Sequence, residues 1–147
     1  MPAAATALLP DGLDPVDAPS LPPNALTAAQ MVHRIGPANG RSLLVTGAAG
    51  AVGGYAAALH TPVLVAIRDG GTFVGVTTAS PATPERDIGI VIVNVAPDGT
   101  MLAELLALAA SGVLELRVAG RVPLREATTA YDKVAAGGQR GRWLLIP

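Results

Sequence analysis

The sequence predicts an α/β fold built on parallel strands, and three observations lead there. Half of the 147 residues are hydrophobic while aromatics make up only 3%, so the core is one of Ala, Val, Leu and Ile, which suits parallel strands covered by small-residue helices. Continuous apolar runs, "SLLVT" at 42–46 and "IGIVIVNV" at 88–95, read as buried strands rather than as half-exposed alternating ones. Amphipathic helical stretches alternate with these runs and supply the long crossovers that parallel strands need. A chain of this length buries about 68–70% of the surface its unfolded form exposes and needs no covalent staple.

Taken in order, residues 1–20 carry Pro2, Pro10, Pro15 and Pro19 and predict an irregular arm with at most one short helical turn at "DPVDA". Residues 21–147 form the single domain. "LPPNALTAAQMVHRIG" predicts a helix with its prolines in the first turn, apolar Leu26, Ala29, Met31, Val32 and Ile35, and Gly36 as its stop. "SLLVT" is a strand, "AVGGYAAALH" a helix, and Thr61-Pro62 opens a second short helix, "TPVLVAIRDG", or kinks the first. "TFVGV" (72–76) and "IGIVIVNV" are strands on either side of the loop "ASPATPERD". Asp98 caps "GTMLAELLALAASG", whose apolar face is Leu102, Leu105, Leu106 and Ala109, and Gly112 closes it. "VLELRVAGRV" alternates as a half-exposed strand. Leu124, Ala127, Tyr131 and Val134 then place one stripe on a helix ended by Gly137-Gly138, with Tyr131 expected in the core, and "RWLLI" is the closing strand.

Composition also excludes partners. The formal net charge of -1, with no basic cluster, argues against nucleic acid and an anionic membrane surface. No cysteine is present, which removes disulfides and thiolate metal sites and makes the cytoplasm the default compartment. No apolar run is long enough to span a bilayer, and "MPAAATALLPDG" lacks the basic n-region of a signal peptide.

The chemistry concentrates in Thr46-Gly47-Ala48-Ala49-Gly50-Ala51-Val52-Gly53, which follows a predicted strand and opens a helix. In this pattern Gly47 permits the tight turn, Gly50 lets the backbone approach a pyrophosphate, and Gly53 lets helix and strand pack closely. The unpaired N–H groups of the helix end, with Ala49, Ala51 and Val52 among them, receive the phosphates. That contribution, up to ~2 kcal/mol, falls short of the roughly 8 kcal/mol of micromolar binding, so the adenosine half normally adds an acidic residue about 20 positions on. By counting, Asp69 or Arg68 would serve, but both lie in "RDGG", a turn leading into a strand. Asp69 is read as a turn residue.

At this point the residues resemble a family. "LLPDGLDPVDAPSLPPNALTAAQMVHRI" followed by "GRSLLVTGAAGAVGGYAAALH" resembles the linker helix and first nucleotide-binding strand of the medium-chain dehydrogenase/reductase superfamily, in its zinc-free quinone oxidoreductase and enoyl reductase branch. "VAIRDGGTFVGV" and "DGTMLAELLALAASGVLELRVAGRVPLREATTAYDKVAAGGQRGRWLLIP" are similar to the end of that family: the last Rossmann strands, the return strand, the "PL" helix and the closing strand. The resemblance is collinear from about Leu8 to the last residue. It implies a reduced Rossmann-like parallel sheet with helices on its faces, plus C-terminal return elements.

Two departures bear on function. The GroES-like catalytic domain has no counterpart, and between His60 and Thr61 the family has its second, third and fourth strands. The usual order 3-2-1-4-5-6 is reduced to the first, fifth and sixth, and the adenosine pocket goes with the rest. What the resemblance implies is an NADP(H)-dependent transfer of hydride to a small carbonyl or enone at a residual cleft lined by Thr27, Gly47, Ala49, Gly50, Ala51, Val52, Gly53 and Thr77, without zinc and with no catalytic acid identified. For Thr27 a plain helix N-terminal hydroxyl is the other reading. The alternatives are a cofactor-independent cyclisation or isomerisation on a small apolar molecule, and a noncatalytic dimeric interaction protein. The apolar strand Ile88 to Val95 predicts a homodimer edge.

Other constellations carry less. His33 and His60 lack cysteine or carboxylate partners at metal-binding spacing. Tyr131-Asp132-Lys133 places Lys two residues after Tyr rather than four, where Ala135 stands. Ser42, Ser80 and Ser111 lack the flanking pattern of a nucleophile elbow. Asp11, Asp14 and Asp17 read as a solvated face of the arm.

Overall fold

Residues 3–36, 67–76 and 85–147 are described by the computed structural model. They form a mixed α/β structure of helices α1 (Pro22–Ile35), α2 (Gly99–Ala110) and α3 (Ala127–Ala136) and strands β1 (Thr72–Gly75), β2 (Gly89–Ile92), β3 (Val118–Pro123) and β4 (Arg142–Ile146). The strands pair in parallel, β1 with β2 and β3 with β4, as the Rossmann-like reading requires. The predicted glycine turn, the helices around the His60–Thr61 junction and Thr77 lie outside the described residues. Two compact units divide the chain, residues 1–26 with 97–147, and residues 27–96.

In the first unit, local signals set the helix ends. Asp98 Oδ1 accepts from Met101 N at 2.9 Å, satisfying one of the orphan donors at the start of α2. At the other end Gly112 takes φ 77, while Gly112 N donates to Ala109 O at 3.0 Å and Val113 N to Leu108 O at 2.9 Å. This is a Schellman closure. It also shortens the strand expected from Val113: that residue and Leu114, which donates to Leu108 O, are spent on the helix end, so β3 begins only at Val118.

The β3–α3–β4 segment is a parallel crossover. Its ladder runs from Val118↔Arg142 to Pro123↔Ile146, with an irregularity between Val118 and Gly120. Gly120 lies directly under Trp143, whose Nε1 donates to Gln139 Oε1 at 2.9 Å. The Gln139 amide in turn donates to the Lys133 and Gly137 carbonyls at the end of α3. A Cβ at Gly120 would stand 2.4 Å from Trp143 Cζ3, so Gly120→Ala forces the indole off its bond to Gln139. The expected cost is about 1–3 kcal/mol. Trp143 is the chain's sole tryptophan, so a shifted native-state emission together with a lower denaturation midpoint checks this directly; unchanged emission would refute it.

The N-terminal arm is more ordered than its prolines suggest. The turn expected at "DPVDA" is present, with Val16 N donating to Asp14 Oδ1 at 2.8 Å and Ala18 N to Asp14 O at 2.9 Å. Asp17 then receives Arg121 of β3: Nε donates at 2.7 Å, and Nη2 donates to both carboxylate oxygens. That hydrogen bond first, then the charges of Asp17 and Asp14, raises the Arg121 pKa above its ordinary value. The expectation of a solvated acidic face is therefore corrected for Asp17, while Asp14 stays exposed. Their acceptors serve a turn and an ion pair.

Tyr131 is a second correction. It is 72% exposed, and Leu124 and Val134 of the same stripe are exposed too. A short 3-10 turn, Leu124–Glu126, precedes α3, and Ala130 is the residue α3 buries. The helix thus lies on β3 and β4 by its small-residue flank, and the larger apolar side chains, some 40–100° around the helix axis, are left outside.

In the second unit, β1 and β2 pair in register from Thr72↔Gly89 to Gly75↔Ile92. Phe73 and Ile88 pack with Ile67 and Ile90, while Met31, Val74 and Val93 form a second cluster with Ile35, Val76 and Val91. The first cluster lies between strand residues and the turn before β1. The second fastens α1 to both strands.

Candidate functional site

In open parallel sheets, ligands bind outside the carboxyl ends of the strands. Here those ends are Gly75–Val76 and the residues following Ile92. Among the predicted site residues, Thr27 is the one within the described set. It lies in the second turn of α1, not at its cap, and is 9% exposed, so the reading as a simple N-terminal cap does not apply. Met31, one turn later on the same helix face, is 2% exposed and packs in the cluster that contains Val76. The helix bearing Thr27 and the residue that leaves β1 therefore share one cluster, centred on the buried Met31 with Ile35 beside it.

A contact with no sequence signature completes this edge. Gln30 Nε2 donates to Ala96 O at 2.7 Å, and Ala96 N donates to Gln30 Oε1 at 3.0 Å. The last ladder contact of β2 is Val93 N to Gly75 O at 2.7 Å, because β1 ends there. This also explains why β2 stops short of the predicted Val95: beyond Val93 no β1 residue remains to pair with, and the side chain of Gln30 takes the backbone at Ala96.

The opposite end of the sheet is closed by charge. Arg86 Nη1 donates to Asp69 Oδ1 and to Ile67 O, each at 2.9 Å, and Gly70 N donates to Arg86 O at 3.0 Å. Arg86 and Asp87 hold positive φ of 49° and 54° to make this latch. Asp69 thus precedes β1 at its amino end and is engaged by Arg86. It does not stand where a ribose-binding carboxylate belongs, at the carboxyl end of a strand.

With this geometry in place, comparison with protein families is decisive. The family model described as zinc-binding dehydrogenase matches residues 40–145. The chain belongs to that family. The match spans the sequence Gly47 to Gly53 and both sides of the His60–Thr61 junction. Comparison with curated proteins finds no significant match.

The zinc of the family's description does not fit the residues present. The chain has no cysteine and two histidines, and His33 is exposed on α1. Among the described residues no three His, Asp or Glu side chains converge. Nor is any described helix long and apolar enough to cross a membrane. Thr27 is buried at this edge, and the exposed backbone there is that of Asn94 and Val95, next to the Ala96 backbone that Gln30 holds.

Proposed function

We propose that this dehydrogenase-family chain binds the nicotinamide and pyrophosphate half of NADP(H) at the carboxyl ends of its parallel strands and serves a zinc-independent hydride transfer to a small carbonyl or enone, as in the quinone oxidoreductase and enoyl reductase branch, in the cytoplasm. The single observation that carries this reading is the family match across residues 40–145, which includes Gly47, Gly50 and Gly53. The position of Thr27 one turn before Met31, which packs in the cluster that contains Val76, supports it. A bound nicotinamide supplies the hydride; the protein supplies position and polar contacts. Gly47 to Gly53 hold phosphate through backbone N–H groups, and Thr27 and Thr77 line the ring end. Asp69 stands at the amino end of β1, paired with Arg86, and not at a carboxyl end where a ribose-binding carboxylate belongs, so affinity rests on the other half of the cofactor.

The test is a titration of NADPH followed by its fluorescence, then consumption of NADPH in the presence of quinones and enones. Binding at sub-millimolar concentration is expected, because the phosphate contacts and ring contacts together need only exceed about 4 kcal/mol. No binding at about millimolar cofactor overturns the reading.

One observation favours a second reading, a noncatalytic dimeric interaction protein. Among the described residues β2 is an edge strand, and an apolar edge left open is a template for pairing with another chain. The strand Ile88 to Val95 is the proposed homodimer contact under either reading.

A further inference from the structure

We infer that Gln30 is a positioning residue of this site: its side-chain amide fixes the backbone leaving β2, and through that backbone the place of the nicotinamide ring. The inference rests on the cofactor reading above.

The amide makes a closed two-bond pair with Ala96, donating at 2.7 Å and accepting at 3.0 Å. A glutamine amide can present one donor and one acceptor side by side, and here it replaces the neighbouring strand that β1 no longer provides after Gly75. Asn94, Val95 and Ala96 are exposed, and Pro97 has no N–H to anchor the segment further. Without Gln30, the Ala96 N–H and C=O turn to water and the exit of β2 loses its only described side-chain tether.

The placement is specific. Gln30 stands three residues after Thr27 and beside Met31, so two turns of α1 carry a hydroxyl, a backbone clamp and a packing anchor to the carboxyl edge of one parallel pair. Ligands of such sheets contact that edge. An exposed clamp beyond the ladder adds little to global stability, whereas it sets the geometry of the backbone a ligand meets.

The test compares the full wild-type chain with Gln30→Ala and Gln30→Glu. Glutamate keeps the acceptor for Ala96 N–H and loses the donor to Ala96 O. Two measurements are made: NADPH titration with the emission spectrum of the bound nicotinamide, and hydrogen exchange at the Ala96 amide. Gln30→Ala is expected to speed Ala96 exchange about 5-fold, the equivalent of one hydrogen bond of about 1 kcal/mol. It is also expected to raise the NADPH dissociation constant by about the same factor and to shift the emission of bound NADPH, with Gln30→Glu recovering part of each. A purely structural role leaves that emission where it is in the wild type.

Equal affinity and equal emission in wild type and Gln30→Ala overturn the inference. A wild-type chain that fails to bind NADPH overturns the proposed function instead; faster exchange at Ala96 in Gln30→Ala then upholds the clamp by itself, and unchanged exchange overturns it.

Discussion

Gly141→Ala is expected to cost about 2–6 kcal/mol, through two additive penalties of about 1–3 kcal/mol each. Gly141 has φ +109, well beyond the left-handed region that Asn or Asp tolerate. A Cβ there would also meet backbone, 2.5 Å from Arg117 O and 3.0 Å from Ala119 N. These atoms cannot swing aside as a side-chain end can. Arg142 N donates to that same Arg117 oxygen at 2.8 Å, immediately before the first ladder pair, Val118↔Arg142. Displacing the Arg117 carbonyl therefore opens the β3–β4 pair from its amino end.

Gly138→Ala separates the two penalties. Gly138 also has a positive φ, 78°, but nothing lies within 4 Å of its Cβ position. It is expected to cost about 1 kcal/mol, the price of the backbone conformation alone. Chemical denaturation followed by Trp143 emission reads both variants in the unit that contains β3 and β4. If Gly141→Ala proves no more costly than Gly138→Ala, the close approach to Arg117 contributes nothing.

Much of this unit was legible from local signals. Asp98 before a helical apolar pattern and Gly112 after it specify both ends of α2, because caps depend on residues adjacent in sequence. The same holds for Gly36, whose φ of 73° ends α1. Long-range pairs left no such trace. Asp17 and Arg121 are 104 residues apart, and Gln30 and Ala96 are 66 apart; no periodicity or motif links residues at such separations. Strand lengths were overestimated for a related reason. Apolar runs show where chain can pair, while the ladder ends where the partner ends.

Tyr131 shows a different limit. A helical stripe identifies the apolar face of α3, but not whether any element covers it. In this chain the buried contact is made through Ala130, and a small residue carries little weight in a hydrophobic pattern. At the candidate site, Thr27 was found through family resemblance. Gln30 was not, since a neutral amide in mid-helix is compatible with any exposed face. The one signal that could have pointed to it is Pro97, which cannot donate a hydrogen bond and so leaves the end of β2 in need of an anchor from elsewhere.

Met31→Ala is expected to destabilise residues 27–96 by about 2–5 kcal/mol, the usual range for removing a buried methionine. Met31 is the point at which α1 meets Val74 of β1 and Val93 of β2, so its loss leaves a cavity between the helix and both strands at once. Hydrogen exchange at the Val74, Val91 and Val93 amides measures the effect within the unit, whereas Trp143 belongs to the other unit and serves as a control. The functional consequence should exceed that of Gln30→Ala, because the methionine anchors the whole turn carrying Thr27, while the amide holds one strand exit. Met31→Leu keeps most of the volume and should cost less than about 1.5 kcal/mol, with NADPH binding retained. If Met31→Ala accelerates exchange at all three valines yet leaves NADPH binding intact, the carboxyl edge held by α1 is not where the cofactor sits.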